Sequence, residues 1–264
     1  MVRRRIFWGL ILVLAGVLFL LNTMGVLSFN VWGVIWPLFL ILLGAQFMFG
    51  RYFNRQALES EQVSIPLEGT TQARISLNHG AGQVRVTAGA DPNTLMSGTF
   101  SGGVSQDISR DGNRSRLTLN APTDMVWMFP FGSNRGFEWD LRLNENVAID
   151  LEIKTGASET ILDLSRLKVE RLNVGTGASS TRITLPEAAG FTRAEIGSGA
   201  ASVDVRVPQG VAARIRVKGG LSSSKIDQNR FPRTGDFYES PDYSTASNRA
   251  DIEIDMGVGS VTVS

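Results

Sequence analysis

Three kinds of residue in this chain could do chemistry: paired glycines around a hydroxyl, a single histidine, and scattered carboxylates. Gly175-Thr176-Gly177 and Gly197-Ser198-Gly199 invite a phosphate or dinucleotide reading. That chemistry needs a strand before the glycines and a helix after them, whose N-terminus holds the anion. Here the following segments are Arg182-Ile183-Thr184-Leu185-Pro186 and Val203-Asp204-Val205-Arg206-Val207-Pro208, which alternate as strands do, so the glycines read as turns. Calcium-binding repeats place an Asp after each glycine turn, and these turns carry Ala and Ser instead. With one histidine (His79) and no cysteine, a zinc site, a thiolate and a disulfide all lack their ligands, and Ser–His catalysis would rest on one residue. His79 stands beside a turn and is expected in solvent. Asp150, Glu152, Asp163, Asp204, Asp251, Glu253 and Asp255 alternate with apolar residues, as a solvated strand face does. The expectation is a protein that is not an enzyme, with no cofactor, no metal and no evident small-molecule substrate.

These residues sit in a repeat. Taking Gly156, Gly177, Gly199 and Gly220 as anchors, the period is 21, 22 and 21 residues, with outlying copies at Gly80 and Gly257. Five residues before each anchor stand Ile75, Leu151, Leu172, Ala194, Ile215 and Ile252. Three before stand Leu77, Ile153, Val174, Ile196, Val217 and Ile254; six after stand Val86, Leu162, Ile183, Val205, Ile226 and Val263. Apolar columns with polar residues between them describe strands with one buried face. A short fixed period means stacked units, since one unit cannot bury its own apolar side. The fold class is therefore mainly β: a single-domain β-solenoid of about six strand–turn–strand coils. The Gly-x-Gly turns are expected to supply positive φ angles at sharp bends.

The chain of 264 residues is 43% hydrophobic, an average that hides a division. Residues 1–55 hold five arginines (Arg3, Arg4, Arg5, Arg51 and Arg55) and no Asp, Glu or Lys. The remainder carries 21 basic against 25 acidic residues, so it offers no basic field for nucleic acid. Apolar runs at about 6–27 and 31–49 are each long enough to cross a hydrocarbon core of ~30 Å. With Trp8, Trp32, Trp36 and Tyr52 near their ends, they predict a two-helix transmembrane hairpin within residues 1–50. A cleaved signal peptide also begins with Arg and an apolar run, but no small-x-small cleavage site follows and a second span does. The arginines flank the hairpin only on its outer ends, which places both ends, and the β domain, in the cytoplasm. Gly9, Gly16, Gly33 and Gly44 would allow close packing between spans.

The run Trp36-Pro37-Leu38-Phe39-Leu40-Ile41-Leu42-Leu43-Gly44, preceded by the apolar stretch Gly9 to Leu21, resembles the LiaI/LiaF-like membrane hairpin of bacterial envelope-stress proteins. The glycine repeats downstream look like the β-solenoid domain called a toastrack. Together the resemblances cover most of the chain except about residues 91–148. They imply a non-enzymatic protein of the bacterial cytoplasmic (inner) membrane that senses envelope damage or restrains a two-component sensor kinase. Its partners would be the lipid bilayer and a membrane protein, such as that kinase, or a second copy of itself. The alternative is an outward-facing adhesin-like or scaffold module.

Residues 51–62 read as a juxtamembrane linker and 63–264 as the solenoid. Between Asp91 and Ala148 the period is lost; Asp111-Gly112-Asn113 suggests a hairpin there. An aromatic insertion at 122–140 concentrates Trp127, Phe129, Phe131, Phe137 and Trp139. Two readings stay open: a bulky lid over the first coils, or an exposed anchor for a partner protein. A second interruption at 228–248, with Pro232, Gly235 and Pro241, reads as a surface loop. The last copy ends in Val261-Thr262-Val263-Ser264 and is expected to seal the stack.

Overall fold

The computed structural model describes Trp36, Leu40, residues 60–122 and residues 137–264. The chain divides into two compact units, and the strands belong to the larger. Trp36 and Leu40 are helical; the remaining residues of the two expected spans, with Arg3, Arg4, Arg5, Arg51 and Arg55, lie outside the described residues. No helix among the described residues is long and apolar enough to cross a membrane.

In chain order the strands are β1 (Ser60–Pro66), β2 (Gln72–Ala88), β3 (Thr94–Ser101), β4 (Ser105–Asp111), β5 (Arg114–Asn120), β6 (Phe137–Leu143) and β7 (Ala148–Asp163). They continue as β8 (Lys168–Thr184), β9 (Phe191–Arg206), β10 (Ala212–Ile226), β11 (Arg233–Thr234), β12 (Phe237–Glu239) and β13 (Arg249–Val263). The middle of the sheet runs β2-β7-β8-β9-β13-β10, all parallel. Its registers superpose the anchor glycines row upon row, so the apolar columns read from the sequence become physical columns. Ile75, Leu151, Leu172, Ala194, Ile252 and Ile215 follow one another across the strands, each at most 2% exposed.

Each of these strands turns a corner at its anchor. In β7, Leu151, Ile153 and Thr155 are buried before the glycine, and Ser158, Thr160 and Leu162 after it. The inward phase therefore flips across Gly156-Ala157, two successive exposed residues. A straight strand alternates faces strictly, so this flip requires a bend. The two halves of each strand enclose the core between them.

The reason for glycine at the corner differs from the expected one. None of the anchors Gly80, Gly156, Gly177, Gly199, Gly220 and Gly257 has a positive φ. Positive φ occurs at the corner only two residues later, at Gly82 and Gly259. What excludes a side chain is the next row. A Cβ on Gly156 would stand 2.6 Å from the Gly80 carbonyl oxygen, and one on Gly257 would stand 2.6 Å from that of Gly199. For Gly177 and Gly199 the corresponding approaches are 2.9 and 3.0 Å. Gly156, Gly177, Gly199, Gly220 and Gly257 are glycine because rows stack with backbone touching backbone, whereas a Cβ on Gly80 would meet nothing within 4 Å.

The ends depart from a simple series of six coils. The period is hidden rather than lost between 91 and 148. β5 lies parallel to the first half of β2, Leu117 beside Ile75 and Leu119 beside Leu77. β6 lies parallel to the second half, Trp139 beside Val84 and Leu141 beside Val86. Together they form another row whose three-residue corner, His79 to Ala81 in β2, is replaced by residues 121–136. The expected hairpin at Gly112 joins β4 to β5, and β1-β3-β6 extends the other half-sheet with antiparallel pairing. β1 begins at Ser60, inside the expected linker.

At the far end, β13 does not seal the stack. It inserts between β9 and β10, leaving β10 outermost. The segment 228–248 is more than a surface loop: it forms the β11–β12 hairpin on β10, buries Phe231 completely and leaves Tyr243 8% exposed.

Replacing Gly257 by Ala is expected to lower the unfolding free energy by about 1–3 kcal/mol through overpacking against the preceding row. Gly197→Ala, where a Cβ meets nothing within 4 Å, should leave stability unchanged or slightly raised. Equilibrium denaturation of the two variants checks this. Equal losses would remove the close-approach explanation.

Candidate functional site

The interrupted corner is where the predicted aromatic residues meet the fold. Alternation carries the inward phase of β2 from Ile75 and Leu77 to His79, so the imidazole points into the stack rather than into solvent, and is 3% exposed. That overturns the expectation of an exposed turn residue. Trp139 comes from the neighbouring β6, its ring 4.9 Å from His79 and 5.2 Å from Phe100 of β3, each edge-on. Trp139 and Phe100 are fully buried. Phe137 is half-buried and lies edge-on to His79 at 6.4 Å. Its ring occupies the space a Cβ on Gly102 would need, 2.2 Å away, and its backbone carbonyl occupies that of Gly82. Trp139 thus offers no surface to a partner: this end of the aromatic insertion is core. Trp127, Phe129 and Phe131 lie outside the described residues.

Both ring nitrogens of His79 and the indole nitrogen of Trp139 are buried without a hydrogen-bond partner. Burial pushes the His79 pKa below the ordinary imidazole value, with the Phe137 backbone opposing more weakly. In the rows of β7, β8 and β9 the same inner corner is lined by hydroxyls. Ser158 donates to Thr155 at 2.7 Å and Ser179 donates to Thr176 at 2.8 Å, while Thr176 donates to Ser198 at 3.0 Å in the next row. These groups satisfy one another, so they form a structural ladder rather than a set of free nucleophiles.

Of the carboxylates singled out in the sequence, Asp150, Glu152 and Glu253 lie on the outer face of the first half-sheet and are engaged with cations, whereas Asp163 and Asp204 stand beyond the corner, in the second half of β7 and β9. Asp150 pairs with Arg171 and with Arg74 on either side, Glu152 with Lys154, and Glu253 with Lys218. The Arg171 hydrogen bond holds the Asp150 carboxyl below the usual range, and Lys154 and Lys218 do the same for Glu152 and Glu253. An open groove of about 520 Å³ beside β5 is lined by Arg74, Arg114, Arg116 and Arg171 together with Asp111 and Asp150. Among the described residues no three His, Asp or Glu side chains converge as metal ligands would. On the outermost row, Arg214 pairs with Glu239 of β12 and lies over the rings of Tyr243 and Phe237, at 4.4 and 5.3 Å. Sequence reasoning missed this cluster because its partners stand 23 to 29 residues from Arg214, with no periodic signal.

Of the hairpin residues, Trp36 is helical and 55% exposed, while Gly9, Gly16, Pro37 and Gly44 lie outside the described residues.

Comparison with known proteins agrees with this architecture. Residues 54–206 match the family described as the N-terminal domain of toast_rack, DUF2154. Residues 6–48 match the LiaI-LiaF-like transmembrane region, which marks the chain as membrane-associated. No curated protein matches. A solved structure from Clostridium sporogenes, described as a "putative cell adhesion protein", is similar to 78% of this chain and 98% of its own, at 21% identity and a TM-score of 0.69. Adhesin structures so described from Parabacteroides distasonis and Bacteroides fragilis align over 78% of this chain and 97% of theirs, at 9% and 8% identity and a TM-score of 0.25 each.

The buried histidine gives a pH signature. Its folded pKa lies below the unfolded value of 6.5, so as pH falls the unfolded chain takes up the proton first and stability declines from about pH 6.5 downward. The paired carboxylates, held below the ordinary carboxylate values of 3.8 to 4.5, add their loss only as pH falls through that lower range. His79→Leu is expected to flatten the stability profile between those two ranges and, by removing an unsatisfied polar group, to raise stability by about 1–3 kcal/mol. A profile unchanged by the substitution, followed by denaturation at a series of pH values, would contradict this.

The stacked parallel rows, the glycine corners and the match over more than half of its length together place this chain in the toastrack family.

Proposed function

We propose that this protein is a non-enzymatic regulatory or scaffold component of the bacterial cell-envelope stress response. It would be anchored by a two-span hairpin (6–27 and 31–49), with its β unit in the cytoplasm. The hairpin binds a membrane partner, such as a span of a two-component sensor kinase. The β stack presents a rigid surface to the same complex. The observation that carries the reading is the succession in one chain of a LiaI-LiaF-like transmembrane region and a toastrack domain.

The chemistry of the stack supports a role in contact rather than turnover. A general acid needs a raised pKa, whereas Asp150, Glu152 and Glu253 are held low by their cationic neighbours. The hydroxyls nearest the glycine corners bond one another. The arginines at the flanks of the predicted hairpin support the orientation.

The chain has no native cysteine, so single cysteines report topology cleanly. With Asn22→Cys or Ser223→Cys in intact cells, a membrane-impermeant maleimide is expected to label the first and not the second. Deleting the gene should raise the basal output of an envelope-stress reporter, and the full chain should restore it. Labelling at Ser223 would place the β unit outside and favour the adhesin-like scaffold. An unchanged reporter would remove the restraining role.

A further inference from the structure

The outer corner of the stack carries a surface that neither the core nor the ion-pair face explains. The residue after each anchor glycine is exposed, and across the rows it reads Ala81, Ala157, Ala178, Ala200, Val258 and Leu221. Leu221 is 80% exposed and Val258 52%, and they stand side by side on β10 and β13. Two large apolar residues thus project at one end of a ridge whose other end is alanine. Along one flank, two residues before the anchors, Lys154 stands in the row of β7 and Asp255 in that of β13, both exposed. Three rows separate them, roughly 14 Å at the ordinary strand spacing, too far for a direct ion pair within one chain.

We propose that two copies of the chain pair corner to corner, antiparallel, about a two-fold axis lying between the rows of β8 and β9. That operation sets Leu221 against Ala81 of the second copy, Val258 against Ala157, and Ala178 against Ala200. Every row then joins a large residue to a small one, or two small ones, so the ridges stay in contact along their whole length. A parallel arrangement would stack Leu221 on Leu221 at one end and open a wedge at the other. The same antiparallel axis brings Lys154 of each copy opposite Asp255 of the other, giving two symmetric ion pairs from residues that cannot meet within one chain. Lys154 exchanges an exposed contact with Glu152 on its own strand for this one. The interface is isologous, as a two-fold contact must be. The six rows give a ridge of roughly 24 Å, a contact smaller than the interfaces that hold soluble complexes together by themselves. The pairing therefore depends on the local concentration that a shared membrane provides. It rests on membrane association, not on the orientation of the hairpin or the identity of a kinase, so the topology result above leaves it intact.

The test is disulfide cross-linking of the full chain in isolated membranes. Co-expressed Ala81→Cys and Leu221→Cys chains should cross-link under mild oxidation, while each variant alone should not, because its two copies of the same residue lie at opposite ends of the paired ridges. In that background Lys154→Asp should abolish the dimer band, Asp255→Lys should do the same, and K154D with D255K in one chain should bring it back. Circular dichroism of the purified variants separates lost pairing from lost folding. Self-cross-linking of L221C alone, equal yields in all combinations, or a charge-reversed double variant that stays monomeric while folded would each overturn the proposal.

Discussion

The contact on which the stack depends is the approach of one corner glycine to the carbonyl of the glycine in the row below. Parallel strands need their backbones a strand spacing apart along their whole length, including at the bend. At a bend, a side chain on the outward residue would lie over the neighbouring row's carbonyl rather than beside it. Removing the Cβ at that one position lets the ladder continue around the corner on both sides. Every other feature follows from this continuity: the buried columns stay in register, the hydroxyls of successive rows meet, and the outer face brings Asp150 between Arg74 and Arg171.

The core columns and the parallel stacking were legible in the sequence because apolar type and row position coincide over repeat after repeat. Three things were not, for identifiable reasons. His79 was misplaced because its column contains Thr155, Thr176 and Ser198, whose polar type suggests solvent; position alone, two residues beyond Leu77, points inward. The row built from β5 and β6 was hidden because Leu119 and Trp139 stand 20 residues apart where Leu77 and Val84 stand 7 apart. A search at fixed period passes over such an insertion. The stacking order was hidden because neighbouring rows of a parallel stack carry the same residue types, so nothing local distinguishes a strand placed inside the stack from one added at its end. Of the candidate partner-contact residues, Trp139 illustrates the limit of composition: the same ring serves a binding surface or a core, and only its row decides.

Trp139 and His79 also show how the fold accommodates the interruption of a row. In the row beside β2, built from β5 and β6, the rings of Phe137 and Trp139 lie edge-on against the imidazole. Gly82 and Gly102 make this possible by leaving room for the Phe137 backbone and ring. The arrangement fills space but leaves the imidazole and indole nitrogens unbonded, a cost the hydroxyl-lined rows avoid.

The placement of β13 accounts for the long excursion that precedes it. Successive rows such as β7 and β8 are joined by four residues, because the chain leaves one row and enters the next beside it. From β10 the chain must instead return to a row between β9 and β10, starting at the edge where β10 itself began. The segment between Asp227 and Asn248 makes that return, and on its way supplies β12 to the outer side of β10 at Arg214 and Ile215. Among the described residues no strand pairs with the other half of β10 on that side, and its sequence is adapted to that. At the inward positions where other rows carry Val84, Thr160, Thr181, Val203 and Val261, β10 carries Ser224, which is exposed. A polar outer row ends a stack without inviting another onto it. The outermost edge is thus closed by a hairpin on one half and by serine on the other. The exposed Leu221 at the corner between them belongs to neither device.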